Sequence, residues 1–227
     1  MSNETDPQIV TYVFEETSAA NNEWHDLFSG AAAAASLGAQ WTMKHVLSNH
    51  VSSSVEEWVN AGYRKHARRA KTKDFEKVLT VIPGELLETP FGRVYATVPL
   101  RQSVLPAELK RLQMSNFKVN SRNLKGYSAP VTVTLNEDLH MSFGKSVVAA
   151  AHAAQLLISN VLAFRNDSAL DLWENDGFPV SVIRGRVASP DENANAVLVK
   201  DYGLTEVPAG SFTASAQFHD NLLREEN

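Results

Sequence analysis

The alternation of apolar and polar positions divides the chain into short elements. Gln8–Phe14 (QIVTYVF) is an apolar run rich in β-branched and aromatic residues, which predicts a buried strand. Glu23–Asn49 is dominated by alanine, the best helix former, and predicts one long or bent helix with Gly30 and Gly38 as its weak points. Ser53 and Glu56 have capping-box spacing and predict a short helix through Val55–Gly62, ended by Gly62. Asp74–Ile82 reads as a helix and Pro83–Pro90 as a turn-rich connection. In Gly92–Leu100, Val94, Ala96 and Val98 alternate with Tyr95 and Thr97, the period of a strand. Pro106–Met114 predicts a short helix with its proline at an early position, where a missing N–H costs nothing.

Ser115–Pro130 is polar and aperiodic, the best linker in the chain. A strand, a turn and an alanine-rich helix follow across Val131–Leu157. Ser168–Gly177 predicts a helix with Ser168 as N-cap and Gly177 as C-cap. Phe178–Arg184 is a strand, Ala188–Ala196 a polar loop, and Val197–Gln217 two strands around a turn. Strands alternate with helices in both halves, so the fold class is α/β, a mixed sheet flanked by helices. The halves run β-α-α-β-α-β and β-α-α-β-β, so they are either two related α/β units or one continuous sheet. The expected organisation is an N-terminal unit over 1–114 with a basic strand, a linker over 115–129, a second unit over 130–220, and a tail over 221–227.

Composition narrows the function classes. Of 227 residues, 44% are hydrophobic and 21% charged, as in a globular protein. The net charge of −5 argues against a protein that coats nucleic acid over its whole surface, but leaves room for a local basic patch. With no cysteine, a disulfide scaffold, thiol catalysis and cysteine zinc sites are excluded. His45 and His50 are five apart and share no helix face for a metal. Neither H-E-x-x-H nor G-x-S-x-G occurs, and Gly144-Lys145-Ser146 lacks the upstream glycine of a phosphate-binding loop. No metal and no cofactor are expected. The polar, acidic start and the lack of an 18-residue apolar run predict a cytoplasmic protein without a membrane span.

Three features carry candidate chemistry. Lys145 lies in the first turn of an apolar helix, a poor place for a cation on dipole grounds, and either a solvated side chain or part of an anion site. His152 follows two turns later on roughly the same side; it is either a packed core histidine or a site residue. Arg64, Lys65, Arg68, Arg69, Lys71 and Lys73 crowd one short stretch. As a strand this stretch presents cations on both faces, so it is either a protected sheet edge or a phosphate-binding ridge.

Two blocks resemble the type II peptidyl-tRNA hydrolase family. Gly144–Ala154 (GKSVVAAAHAA) is similar to that family's G-K-x-A-A-Q-x-x-H-A-A. Asp201–Thr213 (DYGLTEVPAGSFT) is similar to its D-A-G-x-T-x-(small apolar)-P-x-G-(T/S)-x-T, with Asp201, Gly203, Thr205, Pro208, Gly210 and Thr213 in place. The resemblance covers roughly Pro130–Gln217. The chain also looks like a longer, actinobacterial-type member, with Trp58, Gly62, Arg64, Lys65, Arg68, Arg69 and Ala70 matching an N-terminal run. It implies hydrolysis of the ester between peptide and tRNA, with Lys145, Asp201, Thr205 and His152 at the site. The basic run would grip tRNA phosphates, and pairing of two copies as a homodimer is a further expectation. Two departures stand out. Ala149 replaces the family's helix glutamine, and His140 replaces a lysine before the turn. They favour an alternative, a catalytically weakened tRNA- or RNA-binding relative.

Overall fold

The computed structural model describes residues 6–16, 27–114, 129–164, 167–187, 196–203 and 206–219. In the N-terminal half, β1 (Gln8–Glu16) leads to α1 (Leu27–His45), α2 (Ser53–Asn60), β2 (Lys65–Lys71) and α3 (Thr72–Val81). The hairpin β3 (Gly84–Thr89) and β4 (Gly92–Thr97) follows, then β5 (Leu100–Arg101), α4 (Ala107–Lys110) and β6 (Gln113–Met114). In the C-terminal half come β7 (Val131–Asn136), α5 (Phe143–Phe164), α6 (Asp167–Asn175), β8 (Val180–Gly185), β9 (Val197–Lys200) and β10 (Phe212–Phe218).

The halves form two sheets, not one. The first runs β3-β4-β1-β2-β6, with β5 paired to β1; the second runs β8-β7-β10-β9. Read from the hairpin inward, the shared order is the same: β3-β4-β1-β2 and β9-β10-β7-β8. The pairing senses also agree. The hairpins are antiparallel, β4 and β10 run antiparallel to β1 and β7, and β2 and β8 run parallel to β1 and β7. In each half the parallel pair is bridged by two helices. The match comes from β3, which the sequence reading placed in a turn-rich connection. Its polar residues hide a strand whose start fits only glycine: a Cβ on Gly84 would lie 2.2 Å from the Ala96 carbonyl oxygen across the hairpin.

α1 and α5 pack against each other between the sheets. α1 also touches β3, β4 and β8, and α5 touches β2, β7, β9 and β10. Their alanines allow this closeness. At Gly38 a Cβ would meet the Ala151 carbonyl oxygen at 3.0 Å and the Tyr12 hydroxyl at 3.2 Å. One core therefore spans both halves, joining Tyr12, Phe14 and Trp41 to Val133, Leu157 and Trp173. A second, smaller cluster of Val13, Phe75, Val78, Tyr95 and Leu109 sits where α3 and α4 cover the outer face of the first sheet.

Several boundaries differ from the expectation. The cap of α2 is Ser52, one residue before Ser53, and its hydroxyl accepts from the Val55 N–H at 3.4 Å. The helix predicted over Pro106–Met114 ends at Lys110, because Gln113 and Met114 leave it to pair with Arg69 and Arg68 of β2. Pro106 is its N-cap rather than an internal residue. Ser168 falls inside α6, which starts at Asp167, whereas Gly177 ends that helix as expected, with φ +79°. The start of the first long helix before Leu27, residues 115–128 of the linker, the loop over 188–195 and the tail from 220 lie outside the described residues. Among the described residues no helix is long and apolar enough to cross a membrane.

Candidate active site

A cleft of about 550 Å3 opens between the halves. The C-terminal half supplies the start of α5 and the turn after β9; the N-terminal half supplies the turn from Gly62 into β2.

Lys145 reaches this cleft because the helix is capped from outside itself. Ser142 is positioned as N-cap, and its hydroxyl accepts from the Lys145 N–H at 3.2 Å. Lys145 thus stands where a capping box would put a glutamate. Glu206, on the turn after β9, fills that role from a distance. Its carboxylate accepts from the Ser142 N–H at 2.7 Å and from the Ser142 hydroxyl at 2.6 Å. A carboxylate of the protein itself therefore lies at the helix start.

The Lys145 ammonium instead donates to the Asp201 carboxylate, forming a short ion pair in which both side chains are largely buried. Asp201 is fixed by three further bonds. Its Oδ1 accepts from the Gly203 N–H at 2.8 Å, its own N–H donates to the Ser211 carbonyl at 2.8 Å, and its carbonyl accepts from the Gly210 N–H at 2.7 Å. The turn demands glycine. Gly203 has φ +74°, and a Cβ there would lie 2.6 Å from the Ala209 nitrogen. The structure thus brings Lys145 and Asp201 together across 56 residues of sequence. Thr205 lies outside the described residues.

The opposite wall is set by the end of α2. The Gly62 N–H bonds the Val59 carbonyl and the Tyr63 N–H bonds the Trp58 carbonyl, the two bonds of a Schellman motif. Gly62 (φ +83°) and Tyr63 (φ +59°) both take left-handed conformations. The motif places Tyr63 edge-on against Trp58, with centroids 5.0 Å apart. Lys65 then lies over both rings, its ammonium 5.1 Å from the Trp58 centroid and 5.3 Å from that of Tyr63, and donates to the Tyr63 carbonyl at 2.9 Å. Burial holds the Lys65 pKa well below the ordinary lysine range.

His152 lines the same cleft and stacks on Tyr63, with centroids 5.4 Å apart. Burial, with the nearby Lys65 charge, pushes its pKa well below the ordinary histidine value, so it is neutral near pH 7. Ala149 also lines the cleft and presents a methyl group there. His140 is exposed and is not among the cleft-lining residues.

The basic run is split by the pleat of β2. Arg64 and Lys65 face the cleft. Arg68 turns to the other face and donates to the Leu112 carbonyl at 2.7 Å. Arg69 donates to Gln113 at 3.1 Å and lies 3.9 Å from Glu16. Lys71 and Lys73 are exposed at the far end of the strand and the start of α3. Among the described residues, β2 pairs along its first positions with β1 alone, and β6 covers it at Arg68 and Arg69. Three residues without an expected role came into view here: Glu206, Tyr63 and Tyr202. Nothing local marks the first as a cap, because Ser142 lies 64 residues away. The Gly62 helix stop was the available signal for the second.

Residues 130–218 match the family model of peptidyl-tRNA hydrolase PTH2. This part of the chain, which carries Lys145, His152, Asp201 and Glu206, is therefore similar to that family. A search of curated proteins finds no match.

Proposed function

We propose that the chain hydrolyses the ester that joins a peptide to the 3′ end of tRNA, and that the cleft between its halves is where it does so. The observation that carries this reading is the Lys145–Asp201 pair, largely buried in a cleft whose other wall bears Arg64 and Lys65.

Ester hydrolysis needs an oriented water, a stabilised oxyanion and a held substrate. A carboxylate accepts hydrogen bonds only, so a water that donates to Asp201 turns its lone pair toward the cleft. Attack on the carbonyl carbon opens a tetrahedral centre whose oxygen gains negative charge. The Lys145 ammonium, held in place by Asp201, supplies the opposing charge in a partly desolvated setting, where it counts for more than in bulk water. When the C–O bond breaks, one proton of the attacking water leaves on the ribose 3′-oxygen and the other passes by way of the Asp201 carboxylate to solvent, so the peptide departs with its new carboxylate. Thr205 belongs to this proposal as a hydroxyl donor to the substrate. His152, neutral near pH 7 and stacked on Tyr63, serves as part of the cleft floor. Arg64 and Lys65 meet tRNA phosphates, with Arg68, Arg69, Lys71 and Lys73 as an outer part of the same footprint.

The test is release of peptide from peptidyl-tRNA under single-turnover conditions. Replacing Lys145 with Ala, or Asp201 with Asn, is expected to slow release about 100- to 1000-fold, the cost of losing one stabilising group around a developing oxyanion. The double variant is expected to lose little more than either single one, since each positions the other. Folded wild-type protein that releases no peptide would sink the reading. A second reading, a tRNA-binding relative with weakened turnover, is favoured by the Ala149 methyl in the cleft. Salt-sensitive tRNA binding without release would select it.

A further inference from the structure

We propose that Tyr202 is the stacking platform for the unpaired terminal nucleobase of the RNA strand that carries the ester. This rests on the reading that the cleft receives a tRNA 3′ end, and adds a subsite to it.

Tyr202 lines the cleft and is 73% exposed, an unusual state for a large aromatic ring. The ring does not hang loose. It leans on the backbone of Gly62 from the other half, where a Cβ would sit 3.3 Å from Tyr202 Cε2 and 3.5 Å from its hydroxyl oxygen. Its backbone is pinned from both neighbours, since Asp201 accepts from the Gly203 N–H and holds Lys145. The result is a braced ring with most of its surface open to the cleft.

Position and surroundings give the ring its use. The hydrolysed ester sits on a ribose, and one ribose separates that ester from the base. Tyr202 follows Asp201 directly in the chain, which puts the ring a short step from the reacting ester. Two exposed cations, Arg64 and Lys200, line the same cleft. An open aromatic face among cations is how single-stranded nucleic acid is held without sequence preference: bases stack on the ring and phosphates meet the charges. A flexible acyl group alone calls for neither.

The experiment is steady-state hydrolysis of peptidyl-tRNA by wild-type protein and by Tyr202→Ala, Tyr202→Phe and Tyr202→Trp. Because Tyr202 is exposed, none of these changes touches the core. The alanine variant is expected to raise KM about 5- to 150-fold, the loss of one stacked base, with kcat within about twofold. Phenylalanine and tryptophan restore KM, since the ring and not the hydroxyl does the holding. As a direct probe, adenosine 5′-monophosphate inhibits the wild type better than ribose 5-phosphate does, and loses that advantage in the alanine variant. Turnover by the wild type with an unchanged KM in Tyr202→Ala overturns the subsite and leaves the hydrolase standing. A phenylalanine variant as impaired as the alanine one also overturns it. A wild type that neither binds nor hydrolyses peptidyl-tRNA removes the hydrolase reading and the subsite together.

Discussion

At the scale of single residues, the most informative side chains depart from what their local context favours. Lys145 is a cation at a helix start, which the helix dipole disfavours. Its position is explained by two distant carboxylates: Glu206 takes over the cap and Asp201 takes the ammonium. His152 shows the same logic in titration. Burial lowers its pKa in the fold, so below the ordinary value of 6.5 the unfolded chain binds a proton that the folded chain refuses. Stability contributed by His152 is therefore present above pH 6.5 and lost as pH falls. His66, also lowered by burial and by the charges of Arg68 and Arg64, acts with the same sign. Melting curves at a series of pH values between 7 and 5 are expected to show a steeper loss in Tm for the wild type than for His152→Gln. Parallel curves would show that His152 takes up its proton in the fold.

At the scale of elements, the contact between α1 and α5 is what joins the two halves. The helices meet where Gly38 lies over Ala151, with no space for a side chain. Gly38→Val is expected to cost about 1–3 kcal/mol, the usual result of forcing methyl groups into a packed core. Chemical denaturation checks it, and the loss is expected in one transition, since a single core runs through both halves. A transition split in two, with only one half weakened, would contradict that. The alanine-rich pattern of both helices was legible in the sequence, because alanine is a strong helix former and small. The strand β3 was not. Glu85 and Glu88 make Gly84–Thr89 look like a loop, and only its pairing with β4 makes it a strand. Propensity in sheets follows the neighbours, which a local window does not contain.

At the scale of the whole molecule, the repeated order of strands makes the chain a pair of like units around two central helices, with the cleft at their junction. The net charge is −5, so any attraction for RNA has to be local. Arg64 is exposed in the cleft, whereas Arg111 is paired to Asp74 away from it. Arg64→Ala is expected to weaken tRNA binding and to lower the slope of log K against log salt by about one. Arg111→Ala is expected to leave that slope unchanged. Filter binding at several salt concentrations measures both, and equal slopes for wild type and Arg64→Ala would remove Arg64 from the interface.

The sequence by itself determined the α/β class, the helix stops at Gly62 and Gly177, and the two motif blocks around Lys145 and Asp201. These are local matters: periodicity, chain stiffness and the left-handed conformations that glycine accepts. Only the tertiary structure decided that there are two sheets of one order and that Gln113 and Met114 leave their helix for β2. It also decided that the basic run divides between two faces, and that Lys145 meets Asp201 while Glu206 caps its helix. Each of these depends on contacts between residues tens of positions apart. Their energies come from burial and pairing that the chain makes only once it has folded.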